Sequence, residues 1–133
     1  MRIVADTNVL VSALIFPGGA PETVYRMVLE GRIGLVSSRP LLAELGRVLV
    51  AKFGWDAGRA EDAVAQLVRI ADVVEPRESV GEVHEDPDDD RVLEAAAQGE
   101  VDAIVSGDRH LLRMGSWRGI PVEPPARFVA RAT

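Results

Sequence analysis

Four acidic side chains are the residues of this sequence best suited to chemistry. Asp6, Glu44, Asp89 and Asp108 are spread over the 133 residues of the chain, and Asp90 is an alternative to Asp89. Carboxylates that converge on one site raise one another's pKa values unless cations neutralise them. Mg²⁺ and Mn²⁺ suit a site whose ligands are all oxygen, and a pair of such ions activates water and stabilises the leaving oxygen of a phosphodiester. The four acids therefore predict metal-dependent phosphate chemistry, provided that the fold brings them together.

Short apolar runs alternate with segments of helical spacing along the sequence. The runs predict strands at Arg2–Ala5, Ile33–Val36, Val73–Val74, Ala103–Ser106 and, as an edge strand, Pro121–Glu123. Helices are predicted at Asn8–Ile15, Glu22–Glu30, from the N-cap Ser38 to about Lys52, after the N-cap Asp56, at Asp89–Gln98 and at Arg109–Met114. The polar segment 76–87 is predicted to be irregular. This alternation favours an α/β fold with a parallel sheet and right-handed crossovers, and we expect one domain over residues 1–133.

The parallel sheet determines where the acids lie. Asp6 ends the first strand and Asp108 lies two residues beyond the fourth, so both project from the carboxyl edge of the sheet. Helices that follow strands begin at the same edge, which places Glu44 and Asp89 there as well. Ligands of such folds bind at this edge. We therefore expect the four acids to lie near one another.

Each acid also has a purely structural interpretation. Asp6 is a suitable N-cap, and Glu44 lies at the border of an apolar helical stripe, where solvated carboxylates are common. The acidic run 86–90 suits the positive end of a helix dipole. Asp108 suits a turn. These interpretations compete one by one, but the convergence of all four acids favours a metal site.

The composition excludes several classes of function. The 15 basic and 21 acidic side chains give a formal net charge of −6, which disfavours an extended interface with duplex DNA. The absence of cysteine removes disulfides, thiolate zinc sites and cysteine nucleophiles. No run approaches the roughly 20 apolar residues of a membrane helix, and the apolar run 9–16 lacks the cleavage site of a signal peptide. We expect a cytoplasmic protein that binds no membrane.

Four sequence motifs carry a resemblance to a known family. They are Asp6-Thr7-Asn8-Val9-Leu10, Glu44, the run from Asp86 to Arg91, and Ser106-Gly107-Asp108-Arg109-His110-Leu111-Leu112. In this order they resemble the PilT N-terminal (PIN) domain nucleases, and most of all the toxins of prokaryotic toxin–antitoxin pairs of the VapC group. The resemblance implies a three-layer α/β/α sandwich and an endoribonuclease that depends on Mg²⁺ or Mn²⁺. It also implies a homodimer and a small antitoxin protein whose segment plugs the site.

The resemblance assigns roles to individual residues. Asp6, Glu44 and Asp89 match the main metal-binding acids of the family, and Asp108 matches a fourth acid that often acts through water. Polar residues that support these ligands are matched by Asn8 and Ser106.

The position of the third acid within the run 86–90 is open. Asp89 is preferred because Val92 and Ala96 then follow it by three and seven residues, as the small apolar helix of the family requires. Asp90 is the alternative.

Two arginines lie near the same edge and are candidates for substrate contacts. Arg91 and Arg109 could bind the phosphates of an RNA substrate. They could equally be solvated arginines at helix termini.

Two other interpretations compete with a nuclease. An aspartyl-phosphate enzyme of the haloacid-dehalogenase kind needs a second aspartate where this chain has Asn8, and the only lysine, Lys52, lies at a helix end. The alternative that stays open is a catalytically silent module of the same fold that binds metal or docks a partner. Asn in place of Asp6 would distinguish the two, because only a nuclease loses turnover.

Overall fold

The computed structural model describes residues 1–81 and 87–133, with only the backbone of Pro87. The prediction of an irregular segment over 76–87 is confirmed for residues 76–81, which form no helix or strand, whereas Pro87 already belongs to a helix. Residues 82–86, with Asp86 of the acidic run, lie outside the described residues. In chain order the elements are β1 (Arg2–Ala5), α1 (Thr7–Ile15), α2 (Ala20–Leu29), β2 (Gly34–Ser38), α3 (Arg39–Ala51), α4 (Ala57–Ile70), β3 (Ala71–Val74), α5 (Pro87–Gly99), β4 (Ala103–Val105), α6 (Arg109–Met114), β5 (Ser116–Trp117), β6 (Ile120–Glu123) and α7 (Pro125–Ala132).

The strands form one sheet in the order β3-β2-β1-β4-β6-β5. All neighbours are parallel except β5 and β6, which pair antiparallel. β1 lies between β2 and β4, with Val4 opposite Val36 on one side and Ile104 on the other. The predicted parallel sheet is confirmed, and β1 and β4 end side by side.

Helices cover both faces of the sheet. Alternate residues of a strand point to opposite faces: Ile3 and Val105 belong to one buried cluster, and Val4 and Ile104 to another. The first cluster also contains residues of α1, α2, α3, α4 and α7, and the second contains residues of α5 and α6 with Leu41 of α3. The predicted α/β/α sandwich is confirmed.

The C-terminal region differs from the sequence prediction. Pro121–Glu123 was expected at the edge, but β6 lies between β4 and β5, and the two-residue β5 forms the edge. The two strands meet in a tight hairpin whose central residues, Arg118 and Gly119, both have positive φ, as a type I′ turn requires. Helix α7 was not predicted. It begins beside Pro124 and buries Phe128 completely against the first cluster.

Helix starts follow ordinary capping rules in part. The Asp56 carboxylate accepts a hydrogen bond from the Arg59 amide at 3.2 Å, which confirms Asp56 as the N-cap of α4. Ser38 occupies the N-cap position of α3, but its side chain makes no capping hydrogen bond. Helix α5 begins at Pro87, so that Asp88, Asp89 and Asp90 form its first turn.

No helix in the described parts of the chain is long and apolar enough to cross a membrane.

Candidate active site

Asp6 and Ser106 meet at the carboxyl edge because β1 and β4 are neighbours in register. Each follows directly on its strand, and the Asp6 amide donates a hydrogen bond to the Val105 carbonyl at 2.9 Å. The Ser106 hydroxyl donates to Oδ2 of Asp6 at 2.7 Å, and it accepts from the Asp108 amide at 2.9 Å. One serine, 0% exposed, thus links two acids that are 102 positions apart in the sequence.

The environment of Asp6 disfavours its charged form. Only 6% of this residue is exposed, and burial is the largest cause that raises the pKa of its carboxyl group. The negative charge of Asp108 raises that pKa further, whereas the Ser106 hydroxyl and the Asn8 and Thr7 amides lower it in part. The Asp6 side chain makes no capping hydrogen bond to α1, although the residue occupies the N-cap position. The Asn8 and Thr7 amides of the first turn of α1 offset the charge of Asp6 only in part, so capping alone does not account for an aspartate at this buried position.

Asp108 is half-buried and does cap a helix. Its Oδ1 accepts hydrogen bonds from the His110 amide at 2.8 Å and the Leu111 amide at 3.3 Å at the start of α6. These bonds fix the carboxylate next to Ser106. Asp108 is therefore the N-cap of α6 and not an ordinary turn aspartate, and its amide contacts the serine that binds Asp6.

Asp89 and Asp90 open α5 at the same edge. Gly99 at the opposite end of α5 accepts hydrogen bonds from the Arg2 side chain, and Arg2 begins β1, so the first turn of α5 lies toward the carboxyl edge. Asp89 is 3% exposed and Asp90 is 5% exposed. Both burial values are unusual for aspartate.

The choice between these two aspartates stays open. Val92 and Ala96 are fully buried, as the preference for Asp89 requires, but Leu93, three residues after Asp90, is fully buried as well. The apolar pattern of α5 therefore accommodates either residue.

Glu44 lies in the second turn of α3, which begins directly after β2, and so belongs to the same edge. It is half-buried between the buried residues Leu41 and Leu45 of that helix. This half-buried position agrees with the structural interpretation of Glu44 as a boundary residue of the apolar stripe, and it does not exclude a role in the site.

The structure brings Asp6, Ser106 and Asp108 into contact and places Glu44, Asp89 and Asp90 on the same edge of the sheet. Within residues 1–81 and 87–133, no three His, Asp or Glu side chains form a group that could hold a metal ion as they stand. The donors are carboxylate oxygens, which Mg²⁺ and Mn²⁺ prefer. A buried acid beside a second acid is the electrostatic setting that a cation relieves.

Comparison with known proteins identifies the family. The family model described as PIN domain matches residues 2–110. The chain belongs to the PIN domain family. An uncharacterized protein of Methanocaldococcus jannaschii is 25% identical over 118 residues, which cover 86% of this chain and 75% of that protein.

Solved structures share the fold of this PIN domain. A chain in the crystal structure of VapBC2 from Rickettsia felis, bound to a DNA fragment from their promoter, has a TM-score of 0.67 and 14% identity, covering 93% of this chain and 98% of that chain. A chain of VapBC-1 from nontypeable Haemophilus influenzae has a TM-score of 0.60 and 14% identity, covering 95% of this chain and 99% of that one.

The two arginines near the edge of the PIN domain differ in their surroundings. Arg91 forms an ion pair with Glu94, with Nε 2.7 Å from Oε1 and a hydrogen bond to Oε2 at 2.9 Å. A substrate phosphate at Arg91 would compete with that pair. Arg109 is exposed at the first position of α6.

Two further buried acids were missed by the sequence reasoning. Glu94 is 7% exposed and also accepts a hydrogen bond from the Val80 amide at 2.8 Å. Glu123 is 5% exposed and accepts from Nε of Arg131 at 2.6 Å, while its carbonyl accepts from the Ser106 amide at 3.0 Å. Two features of the sequence could have indicated their burial: Glu94 lies four residues after Asp90 on a helix with an apolar face, and Glu123 ends a strand.

Proposed function

We propose that this PIN domain is an endoribonuclease that depends on Mg²⁺ or Mn²⁺ and hydrolyses phosphodiester bonds of RNA. The observation that carries the proposal is the buried Asp6 carboxylate, joined by Ser106 to the backbone of a second acid, Asp108. Burial of an aspartate is costly when only hydroxyl and amide groups offset its charge. A divalent cation would stabilise both carboxylates as anions.

The residues that would hold the metal are the four acids of the carboxyl edge: Asp6, Glu44, Asp89 (or Asp90) and Asp108. When bound, a divalent cation supplies Lewis-acid stabilisation of negative charge and a water of lowered pKa. In the hydrolysis, the oxygen of water bonds to phosphorus, one P–O ester bond breaks and the departing oxygen takes a proton.

The remaining side chains of the edge orient these acids. Ser106 directs Oδ2 of Asp6, and it is itself fixed by the Asp108 amide. The start of α6 holds Oδ1 of Asp108. Asn8 follows Asp6 by two residues in the first turn of α1, and its amide N–H lowers the pKa of the Asp6 carboxyl group. Arg109, and Arg91 once it leaves Glu94, would bind substrate phosphates.

We also propose that the protein acts in the cytoplasm as the toxin of a toxin–antitoxin pair, as a homodimer with an antitoxin protein as partner. The support is the likeness of fold to chains of the VapBC2 and VapBC-1 structures, the first of which also contains DNA from their promoter. The resemblance in the four sequence motifs supports the same assignment.

A catalytically silent docking module is the second candidate. It is favoured by an apolar groove of about 970 Å³ between α3 and α4, lined by residues that include Leu42, Val50, Val64 and Val68. Val50 and Val68 are 43% and 49% exposed. Exposed apolar surface of this kind is typical of protein-binding sites.

Cleavage of RNA by matched variants tests the proposal. The wild type, Asp6→Asn and Asp62→Asn are incubated with total RNA and Mn²⁺, and new RNA ends are mapped by sequencing. Asp62 is exposed on α4, so its variant controls for the same chemical change away from the edge. We expect site-specific ends from wild type and Asp62→Asn and at least a hundredfold fewer from Asp6→Asn. Equal cleavage by all three proteins would contradict the proposed role of Asp6.

A further inference from the structure

A second cavity lies beside the acids of the carboxyl edge. Its volume is about 420 Å³, within the range of roughly 300–1,000 Å³ that is typical of small-molecule sites. The first two turns of α1, the first turns of α2 and α7, and the loop before α6 form its walls. The residues that matter here are Asn8, Ser12, Pro21, Gly107, Pro124 and Pro125.

Two residues that line the cavity are close in sequence to the acids that contact Ser106. Asn8 is two residues after Asp6, and Gly107 separates Ser106 from Asp108. Residues of the cavity wall are thus at most two positions along the chain from the two residues of the hydrogen bond between Asp6 and Ser106. A cavity in this position suits a nucleoside that is attached to the phosphodiester being cleaved.

The lining matches a nucleoside better than a bare anion. Proline rings, with Val9 and two alanines, form apolar surface, and Asn8 and Ser12 contribute an amide and a hydroxyl group. None of the described residues that line the cavity carries a charge. Flat apolar faces with a polar rim describe a nucleobase and its ribose, and an asparagine amide both donates to and accepts from a base edge.

We propose that this cavity is a subsite for the base and ribose of the nucleotide next to the scissile phosphodiester. The proposal rests on the proposed ribonuclease function, since that function supplies the scissile phosphodiester. It adds a binding site on α1 and α7 to the acids that hold the metal. Asn8 is then a substrate-binding residue as well as a neighbour of Asp6.

Binding of mononucleotides without metal tests the subsite independently of cleavage. The full chain, labelled with ¹⁵N, is titrated in EDTA with AMP, GMP, CMP and UMP in turn, and amide shifts are followed by NMR. We expect saturable shifts of the Asn8, Ser12 and Gly107 amides with at least one nucleotide. Inorganic phosphate at the same concentrations should not produce them, because no charged side chain among the described lining residues is there to bind it.

Two matched tryptophan variants locate the ligand. Ala126 lines the cavity and Ala130 lies one turn further along α7, and both residues are exposed. One turn moves a side chain by about 6 Å along the helix. We expect Ala126→Trp to weaken nucleotide binding at least tenfold and Ala130→Trp to leave it unchanged.

A glycine variant covers the case in which Ala126→Trp does not fold. A Cβ added at Gly107 meets no atom within 4 Å, so Gly107→Leu should fold and fill the cavity from the opposite wall. It should weaken nucleotide binding at least tenfold as well.

Three results would overturn the subsite: no saturable binding to folded wild type, equal binding to Gly107→Leu, or the same shifts with inorganic phosphate alone. Mn²⁺ calorimetry on the same proteins separates this outcome from a failure of the ribonuclease proposal. Mn²⁺ binding without nucleotide binding would refute the subsite alone, whereas nucleotide binding without Mn²⁺ binding would support the subsite and count against the metal site.

Discussion

Three buried acids of this PIN domain, Asp6, Glu94 and Glu123, lie in two kinds of surroundings. Glu94 and Glu123 each lie against an arginine, Arg91 and Arg131, and each therefore has a counter-charge within the protein. Among the described residues, Asp6 forms no ion pair with an arginine, lysine or histidine; its surroundings are a serine hydroxyl, backbone amides and the charge of Asp108.

The contrast separates acids that stabilise the fold from acids that need a cation from outside. An ion pair within the chain satisfies a buried carboxylate as soon as the protein folds. A buried carboxylate beside a second one is satisfied only when a metal or a proton arrives. By this criterion Asp6 and Asp108 belong to the candidate active site, and Glu94 and Glu123 belong to the scaffold around it.

The acids of α5 allow the sharpest test of where the metal site ends. With Asp89 as a ligand, Asp89→Asn should reduce RNA cleavage about a thousandfold, because a metal contributes several kcal/mol and each 1.36 kcal/mol corresponds to a factor of ten. Asp90→Asn, its matched neighbour, should reduce cleavage much less. The measurement is the rate of cleavage of one mapped RNA site.

The reverse order of the two variants would assign the ligand to Asp90. Unchanged cleavage rates in both variants would show that neither aspartate of α5 binds the metal, and would restrict the aspartates of the carboxyl edge that could bind it to Asp6 and Asp108.

Ser106→Ala removes the hydroxyl that joins the two acids. Loss of a hydrogen bond that orients a ligand typically costs 10–100-fold in metal affinity, and we expect a reduction of about that size in Mn²⁺ affinity measured by calorimetry. Ser116→Ala, at an exposed serine of β5, is the control and should bind Mn²⁺ like wild type. Wild-type affinity in Ser106→Ala would show that the serine is only a packing residue.

Arg131→Ala breaks an ion pair of the scaffold. The Glu123 carboxylate would be left buried without its partner, which costs about 1–3 kcal/mol of the free energy of unfolding. Urea denaturation measures this loss, and Arg127→Ala, at an exposed arginine of the same helix, is the control. Mn²⁺ affinity should be unchanged, and a large loss of it would place Glu123 in the metal site.

The smallest expected effect is on the pH dependence of stability without metal. Because the pKa of Asp6 in the folded protein is raised above its ordinary value of 3.8, its contribution to stability is present below pH 3.8 and is lost as the pH rises through the folded value. Asp6→Asn in EDTA should therefore melt a few degrees higher than wild type at neutral pH. The difference should vanish below pH 3.8, and a variant that melts lower than wild type at neutral pH would contradict the raised pKa.

The sequence was sufficient to predict the part of the site that depends on strand order. Asp6 and Ser106 follow two buried strands, and the rule that parallel strands end at one edge brings them together across 100 positions. The position of Asp89 and Asp90 at this edge follows from the same topology, because α5 precedes β4 and must begin there, whereas their burial was not predicted.

The parts of the structure that were not predicted depend on local conformations and tertiary contacts that the hydrophobic periodicity of the sequence does not encode. The two-residue strand β5 exists because Arg118, a residue other than glycine, adopts a positive φ in the turn before β6. Helix α7 is short, and its place in the fold depends on the contact of Phe128 with a cluster built from distant segments. Arg91 and Glu94 are three residues apart on α5, so their ion pair is local. The hydrogen bond that Glu94 accepts from the Val80 amide depends on tertiary structure.

The most direct test of the metal site is Mn²⁺ binding by calorimetry to wild type, Asp6→Asn and Asp62→Asn. The measurement requires no knowledge of the RNA that is cut. We expect saturable binding by wild type and Asp62→Asn and its loss in Asp6→Asn, with all three proteins folded. Equal binding by all three, or none by folded wild type, would contradict a metal site built on Asp6 and would favour the docking module.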